Sequence, residues 1–260
     1  MEMSITQRTK VVAVVGVLIA VGAVGAVAYA NHSWGGYHWA RTANPLALKL
    51  GDNVSASWDS YLATASADWS TSTVLNTTVV PGLSNPKNCK ATAGRVEVCN
   101  SKYGKNGWLG IASIWASGTH ITQGTVRLND TYFLTAKYNT PAWKNLVMCQ
   151  EIGHTIGLDH QDEAFDNANL GTCMDYTSNP GTNQHPNSHD YEMLETIYAH
   201  LDSFTSATNT VASRGNKNMD IGNASEWGKS IRTSRDGKSS LFERNLGNGE
   251  KLFTFVIWAD

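Results

Sequence analysis

With 260 residues and 41% hydrophobic positions, the chain can bury one substantial core and is crowded for two. A formal net charge of −2, with only 16% charged residues, gives no basic footprint, so nucleic acid is not expected as a partner. The neutral, polar surface that this composition implies also excludes strong electrostatic steering of ligands.

The first element is an apolar run over residues 11–30, preceded by Arg8 and Lys10 and ending in Ala28-Tyr29-Ala30, the small-x-small form of a signal-peptidase site. The run is longer than a usual signal core and just long enough to span a bilayer, so a cleaved signal and a retained anchor both stay open. Membrane contact is expected only through residues 11–30 if they are kept. Either way the remainder is exported, and is secreted or held outside the cytoplasm. The four cysteines form an even set suited to an oxidising compartment. Three pairings are possible, and the expected ones are Cys89–Cys99, closing a short polar loop, and Cys149–Cys173.

After an aromatic, turn-rich stretch at 32–45, residues 46–50 read as a short strand. Residues 54–70 take helical spacing, with Trp58, Leu62, Ala65 and Trp69 on one stripe. Strand patterns follow at 73–80, 95–99, 108–115 and 121–128, the early ones separated by Pro, Gly and Asn. The alternation Arg95-Val96-Glu97-Val98 predicts a strand with one wet face. The best-defined helix opens with Thr140 as cap and Pro141 at its first position, and exits at Gly157. Met148, Ile152 and Ile156 form one apolar stripe and Trp143, Leu146 and Val147 an opposing one, so the helix is expected to be sandwiched. A last helix over 190–201 puts Tyr191, Leu194, Ile197, Tyr198 and Leu201 on one face. The polar tail ends in two apolar segments, 241–242 and 252–258, which could pair as a hairpin around Gly247-Asn248-Gly249.

The chemistry concentrates in Gln150-Glu151-Ile152-Gly153-His154-Thr155-Ile156-Gly157-Leu158-Asp159-His160. Side chains 150 and 154 share a helix face and can converge on one ion. Glu151 projects about 100° around, where a general base belongs. A left-handed Gly157 would turn the chain and return His160 to the same ion. His32, His38, His185 and His189 have no spacing that ties them to this site and read as surface or structural.

This pattern resembles the metzincin zinc metallopeptidases, whose signature is H-E-x-x-H-x-x-G-x-x-H followed by a Met-turn. Glu151, His154, Gly157 and His160 match it, and Met174 falls in a plausible Met-turn. Gly153 to His160 is similar to the matrixins, and Met174-Asp175-Tyr176 looks more like astacins and serralysins. The resemblance implies zinc held by His154 and His160, Glu151 as general base, Met174 packed beneath the metal and Tyr176 near the oxyanion. It implies an α/β (α+β) metzincin-like domain: a twisted five-stranded mixed sheet, a backing helix, an active-site helix and a small irregular C-terminal subdomain with one helix. The first histidine of the signature is Gln150 here. Gln150 could be a weak third ligand, water or Tyr176 could complete the set instead, or the site could be a relic.

The domains expected are 1–30 as signal or anchor, 31–204 as the metzincin-like peptidase domain, and 205–260 as a polar extension with a possible hairpin. The function expected is a secreted, monomeric, zinc-dependent endopeptidase acting on peptide or protein substrates. The alternative is a catalytically weak or inactive binding module on the same fold. No cysteine sits in a Pro-Arg-Cys-Gly setting, so a matrixin-style zymogen is not expected. A Cys149–Cys173 bridge would join the residues just before Gln150 and Met174 and stiffen the ligand bed.

Overall fold

The computed structural model describes residues 32–208 and 219–259, which fall in one compact unit. The apolar run at 11–30 lies outside the described residues. Among those described, no helix is long and apolar enough to cross a membrane.

The fold is α+β, with one mixed sheet and few helices. The strands are β1 (His38–Trp39), β2 (Leu46–Asn53), β3 (Leu75–Pro81), β4 (Val96–Ser101), β5 (Trp108–Ser117), β6 (His120–Asn129), β7 (Lys229–Thr233), β8 (Ser239–Gly247) and β9 (Glu250–Trp258). They run in the order β3-β2-β4-β6-β5-β9-β8-β7, with β1 alongside β6. β1, β2, β3, β4 and β6 are mutually parallel, whereas every pairing from β6 through β5 to β7 is antiparallel.

The sheet is therefore larger than the five strands expected. β2 to β6 are those five. β1 and the C-terminal β7–β9 extend them because β9 presents a long apolar stretch that β5 can bury. β8 and β9 turn at Asn248 and Gly249, both left-handed, as a two-residue type I′ turn requires.

Among the described residues, four α-helices accompany the sheet: α1 (Asp59–Trp69), α2 (Asp130–Phe133), α3 (Pro141–Thr155) and α4 (Ser188–Ile197). The Thr140 hydroxyl accepts from the Trp143 amide at 3.3 Å, and Pro141 fills the first position, where its missing N–H costs nothing. Residues 146–155 of α3 are all buried, with α1 and the sheet packed against the helix. Adjacent residues on β5 and β9 face opposite ways. Ala112 and Phe255 join this main core, while Ile111 and Val256 join Trp108 and Trp227 in a second cluster.

Two local expectations need correction. Glu97 is fully buried rather than wet, because Arg95 pairs with it at 3.0 Å and Asn53 donates to it at 2.6 Å. The final helix stops at Ile197, short of Leu201, which is exposed. There the chain leaves helical geometry so that Asp202 N–H and Ser206 N–H can donate to the Arg41 and Ala40 carbonyls.

Candidate metal centre and active site

Helix α3 and the bend after it bring the sequence-derived residues together. Gly157 sits at φ +103°, and a Cβ there would meet the Tyr37 carbonyl at 2.5 Å, so both conformation and space demand glycine. The Leu158 amide closes back onto the Gly153 carbonyl at 3.2 Å. The turn returns His160, leaving the His154 and His160 ring centroids 4.5 Å apart and nearly perpendicular.

Each side chain has a definable orientation. His154 Nδ1 lies 2.9 Å from the Leu158 carbonyl, which can only accept, so Nδ1 carries the proton and Nε2 the lone pair. Gln150 Nε2 donates to the Cys173 carbonyl at 2.9 Å. Its Oε1, together with Glu151 Oε2 and His160 Nε2, is buried without a hydrogen-bond partner among the described residues. Orphaned buried atoms are costly, and a bound cation would relieve the donor atoms among them, Gln150 Oε1 and His160 Nε2. Two neutral imidazoles and an amide oxygen are a donor set that zinc accepts, more weakly than three imidazoles.

Glu151 lies against β5. The Ala112 amide reaches its carboxyl, and a Cβ on Gly110 would sit 2.7 Å from Oε1. Desolvation pushes the Glu151 carboxyl well above the usual carboxylate range, against that single amide. Burial, then the neighbouring His160, holds the His154 imidazole well below its ordinary value. Burial also lowers His160, opposed by Asp159. Both rings are thus kept neutral, the state in which imidazole ligates metal.

Met174 packs beneath the helix: a Cβ on Gly153 would meet its Sδ at 2.5 Å. The Tyr176 ring lies tilted against His160, centroid to centroid 3.8 Å, and its phenol, raised well above 10 by burial, bonds the Ser239 side chain. The structure joins Cys149 to Cys173 and Cys89 to Cys99. The first bridge ties α3 to the segment that carries Met174. Of the remaining histidines, His32 is buried with Nδ1 on the Asp159 carbonyl, His189 stacks on His32, and His185 pairs with Asp68 at the surface.

Several residues that shape the site were not legible as such. The indoles of Trp69, Trp34 and Trp39 donate to the Cys149, His154 and Thr155 carbonyls and anchor the last turns of α3. Arg232 of β7 bonds the Asp159 carboxylate, with Nη1 at 2.6 Å from Oδ2, and reaches Glu163 at 3.0 Å. Burial alone would raise Asp159, but His160 and the Arg232 guanidinium outweigh it and hold the carboxyl far below its usual range. Phe255 of β9 stacks on His154 at 4.1 Å, with the rings 10° from parallel. Between His160, Tyr176, Leu241 and Phe255 no cavity is large enough for a water molecule. A spacing motif within one segment carries no information about these partners, which arrive from distant strands.

No protein-family model matches this sequence, and no curated protein matches it either. Among solved structures, the chain is similar to high choriolytic enzyme 1, a hatching enzyme zinc-protease from Oryzias latipes (medaka fish). The identity is 8%, the TM-score is 0.35, and the match covers 64% of this chain and 96% of that one. At that level the likeness lends no weight to any residue's role.

Proposed function

We propose that the chain is a zinc-dependent endopeptidase whose cleft is closed by its own C-terminal strands. The observation that carries this reading is the meeting of the His154 and His160 rings, in a motif whose Gln150 Oε1 and Glu151 Oε2 are buried without a hydrogen-bond partner among the described residues. His154, His160 and Gln150 would hold the zinc, with Met174 beneath and the Cys149–Cys173 bridge stiffening the bed. Zinc, when bound, polarises a peptide carbonyl and acidifies water.

Glu151 is the group placed to take a proton from the attacking water and pass it to the leaving amine. Desolvation favours the neutral carboxyl in the closed form, and water entering the site would relieve that burial and let Glu151 act as a base. Tyr176 is the hydroxyl available to the developing oxyanion once Ser239 moves aside. A peptide substrate would lie extended along β5, the antiparallel strand that carries Glu151's neighbours, and β9 now holds that edge. The two disulfides suit an oxidising compartment, and with residues 11–30 they support a secreted or membrane-anchored protein.

A second reading, a closed binding module without catalysis, is favoured by the Phe255 ring covering His154. Zinc content and hydrolysis of unfolded, dye-labelled casein separate the two, measured for the wild type, Glu151→Ala and Phe255→Ala. The peptidase reading expects hydrolysis that Phe255→Ala increases and Glu151→Ala abolishes. Equal hydrolysis with and without Glu151, or none in any variant, ends it.

A further inference from the structure

On the face of β1 opposite the Trp39 indole, three imidazoles converge on one carboxylate oxygen. Asp202 Oδ1 lies 3.7 Å from His200 Nε2, 3.8 Å from His38 Nε2 and 3.2 Å from His120 Nε2. His38 Nε2 and His200 Nε2 are themselves 3.2 Å apart. The second oxygen, Oδ2, is already used, accepting the Arg41 amide at 2.9 Å, so Oδ1 is the one presented to the histidines.

The tautomer of His38 leaves a ligand atom free. His38 Nδ1 lies 2.9 Å from the Gly36 carbonyl and must donate to it, which leaves Nε2 as a bare lone pair aimed at the centre of the group. Zinc–ligand bonds of about 2.0–2.1 Å separate tetrahedral ligand atoms by roughly 3.3 Å. The His38, His200 and Asp202 atoms are 3.2, 3.7 and 3.8 Å apart, within a few tenths of an ångström of that. His120 approaches the same carboxylate from outside and holds it by a hydrogen bond. His200 is 55% exposed, so the group has a solvent path for an ion to enter.

We propose that His38, His200 and Asp202 form a second metal site, taking a zinc-class divalent ion, with His120 as a positioning residue for the carboxylate. The site is separate from the one on α3. It clasps β1 to the segment that follows α4, where Asp202 N–H and Ser206 N–H already donate to Arg41 and Ala40 carbonyls. The neighbouring Trp39 carries the clasp to the peptidase site. Its indole bonds the Thr155 carbonyl at 2.8 Å, and its amide donates to the Tyr198 hydroxyl, which in turn bonds Ile156. Metal here would stiffen the C-terminal end of α3 without touching substrate.

The test is equilibrium dialysis of the full chain against Zn2+ and Co2+, with cobalt absorption and thermal melting as further readouts. The double variant His154→Gln/His160→Gln removes both imidazoles of the candidate peptidase site. It is expected to keep one metal equivalent, a visible cobalt band and a zinc-dependent rise in melting temperature. In that background His200→Ala should weaken binding more than about 100-fold and abolish the rise, and His120→Ala should weaken it roughly 10–100-fold. If the double variant does not fold, the comparison is wild type against His200→Ala, where loss of one equivalent supports the site. No metal in a folded double variant, or affinity and stoichiometry untouched by His200→Ala, would mean a hydrogen-bonded histidine cluster only and overturns the proposal. Loss of metal confined to the His154/His160 variant would leave the peptidase reading standing and this one refuted.

Discussion

Asp190 supports the Met174 segment from below, and its protonation can be followed directly. Asp190 Oδ2 accepts from the Thr172 hydroxyl and from the Asn187 amide at 2.8 Å, and the Thr172 oxygen accepts from the Met174 amide at 2.9 Å. Oδ1 has no hydrogen-bond partner among the described residues and faces His32 Nε2 at 3.7 Å. His32 donates from Nδ1 to the Asp159 carbonyl, so Nε2 is also an acceptor, and the two lone pairs oppose each other. Burial pushes the carboxyl from its ordinary 3.8 up to about 6, against the Thr172 and Asn187 hydrogen bonds. That displacement is worth about 3 kcal/mol. A raised folded-state pKa means that the fold binds the proton more tightly than the unfolded chain does. The associated stability is full below pH 3.8, declines as pH rises and is gone above about 6. Asp190→Asn keeps one oxygen for Thr172 and Asn187, turns an N–H toward His32, and has no proton to lose. Its stability relative to wild type should therefore climb by about 2.4 kcal/mol between pH 4 and pH 7, most of the full displacement. Urea unfolding followed by tryptophan fluorescence at several pH values measures the difference. A flat difference, or one that grows toward acid, refutes the assignment of the proton to this carboxyl.

Gln150→His should tighten zinc binding by on the order of tenfold or more, read by competition with a chelating dye; no gain would mean that position 150 does not face the ion. Phe255→Ala removes a ring that is 1% exposed and should cost about 3–5 kcal/mol in denaturant unfolding while baring His154. A variant as stable as wild type would contradict the packing described. Arg232→Met strands the buried Asp159 carboxylate and should cost about 2 kcal/mol, discounted because Arg232 is 36% exposed. Raising salt should leave that loss largely in place, whereas an exposed pair would be screened. Replacing Cys149 and Cys173 by serine opens a bridge with a sequence separation of 24 and should cost about 3.4 kcal/mol on the chain-entropy estimate. Melting of the two forms side by side checks it.

What the sequence made legible was local. Thr140, Pro141 and Gly157 bracket α3 because capping and left-handed exits are decided within a few residues. The offset from His154 to His160 foretold a real meeting of rings for the same reason. Pairing between distant strands is another matter. The 252–258 stretch announces a strand, but nothing in it names β5 as its neighbour or sets Phe255 on His154. Glu97 read as wet because alternation reports side-chain direction, not whether a buried arginine waits on that side. His38, His120 and His200 share no helical or strand period, so only the fold could gather them around Asp202.

The place of β9 in the sheet also bears on when the protein becomes whole. β5 is flanked by β6, its immediate successor in the chain, and by a strand that starts more than a hundred positions later. During synthesis, everything through the Met174 segment emerges with one border of β5 bare and His154 without its aromatic cover. Such long-range closure is slow and cannot finish before residues 250–258 appear. A chain threaded outward from its N-terminus would thus stay incompletely folded until the end of its passage, the condition in which an unfolded polypeptide crosses a membrane most readily.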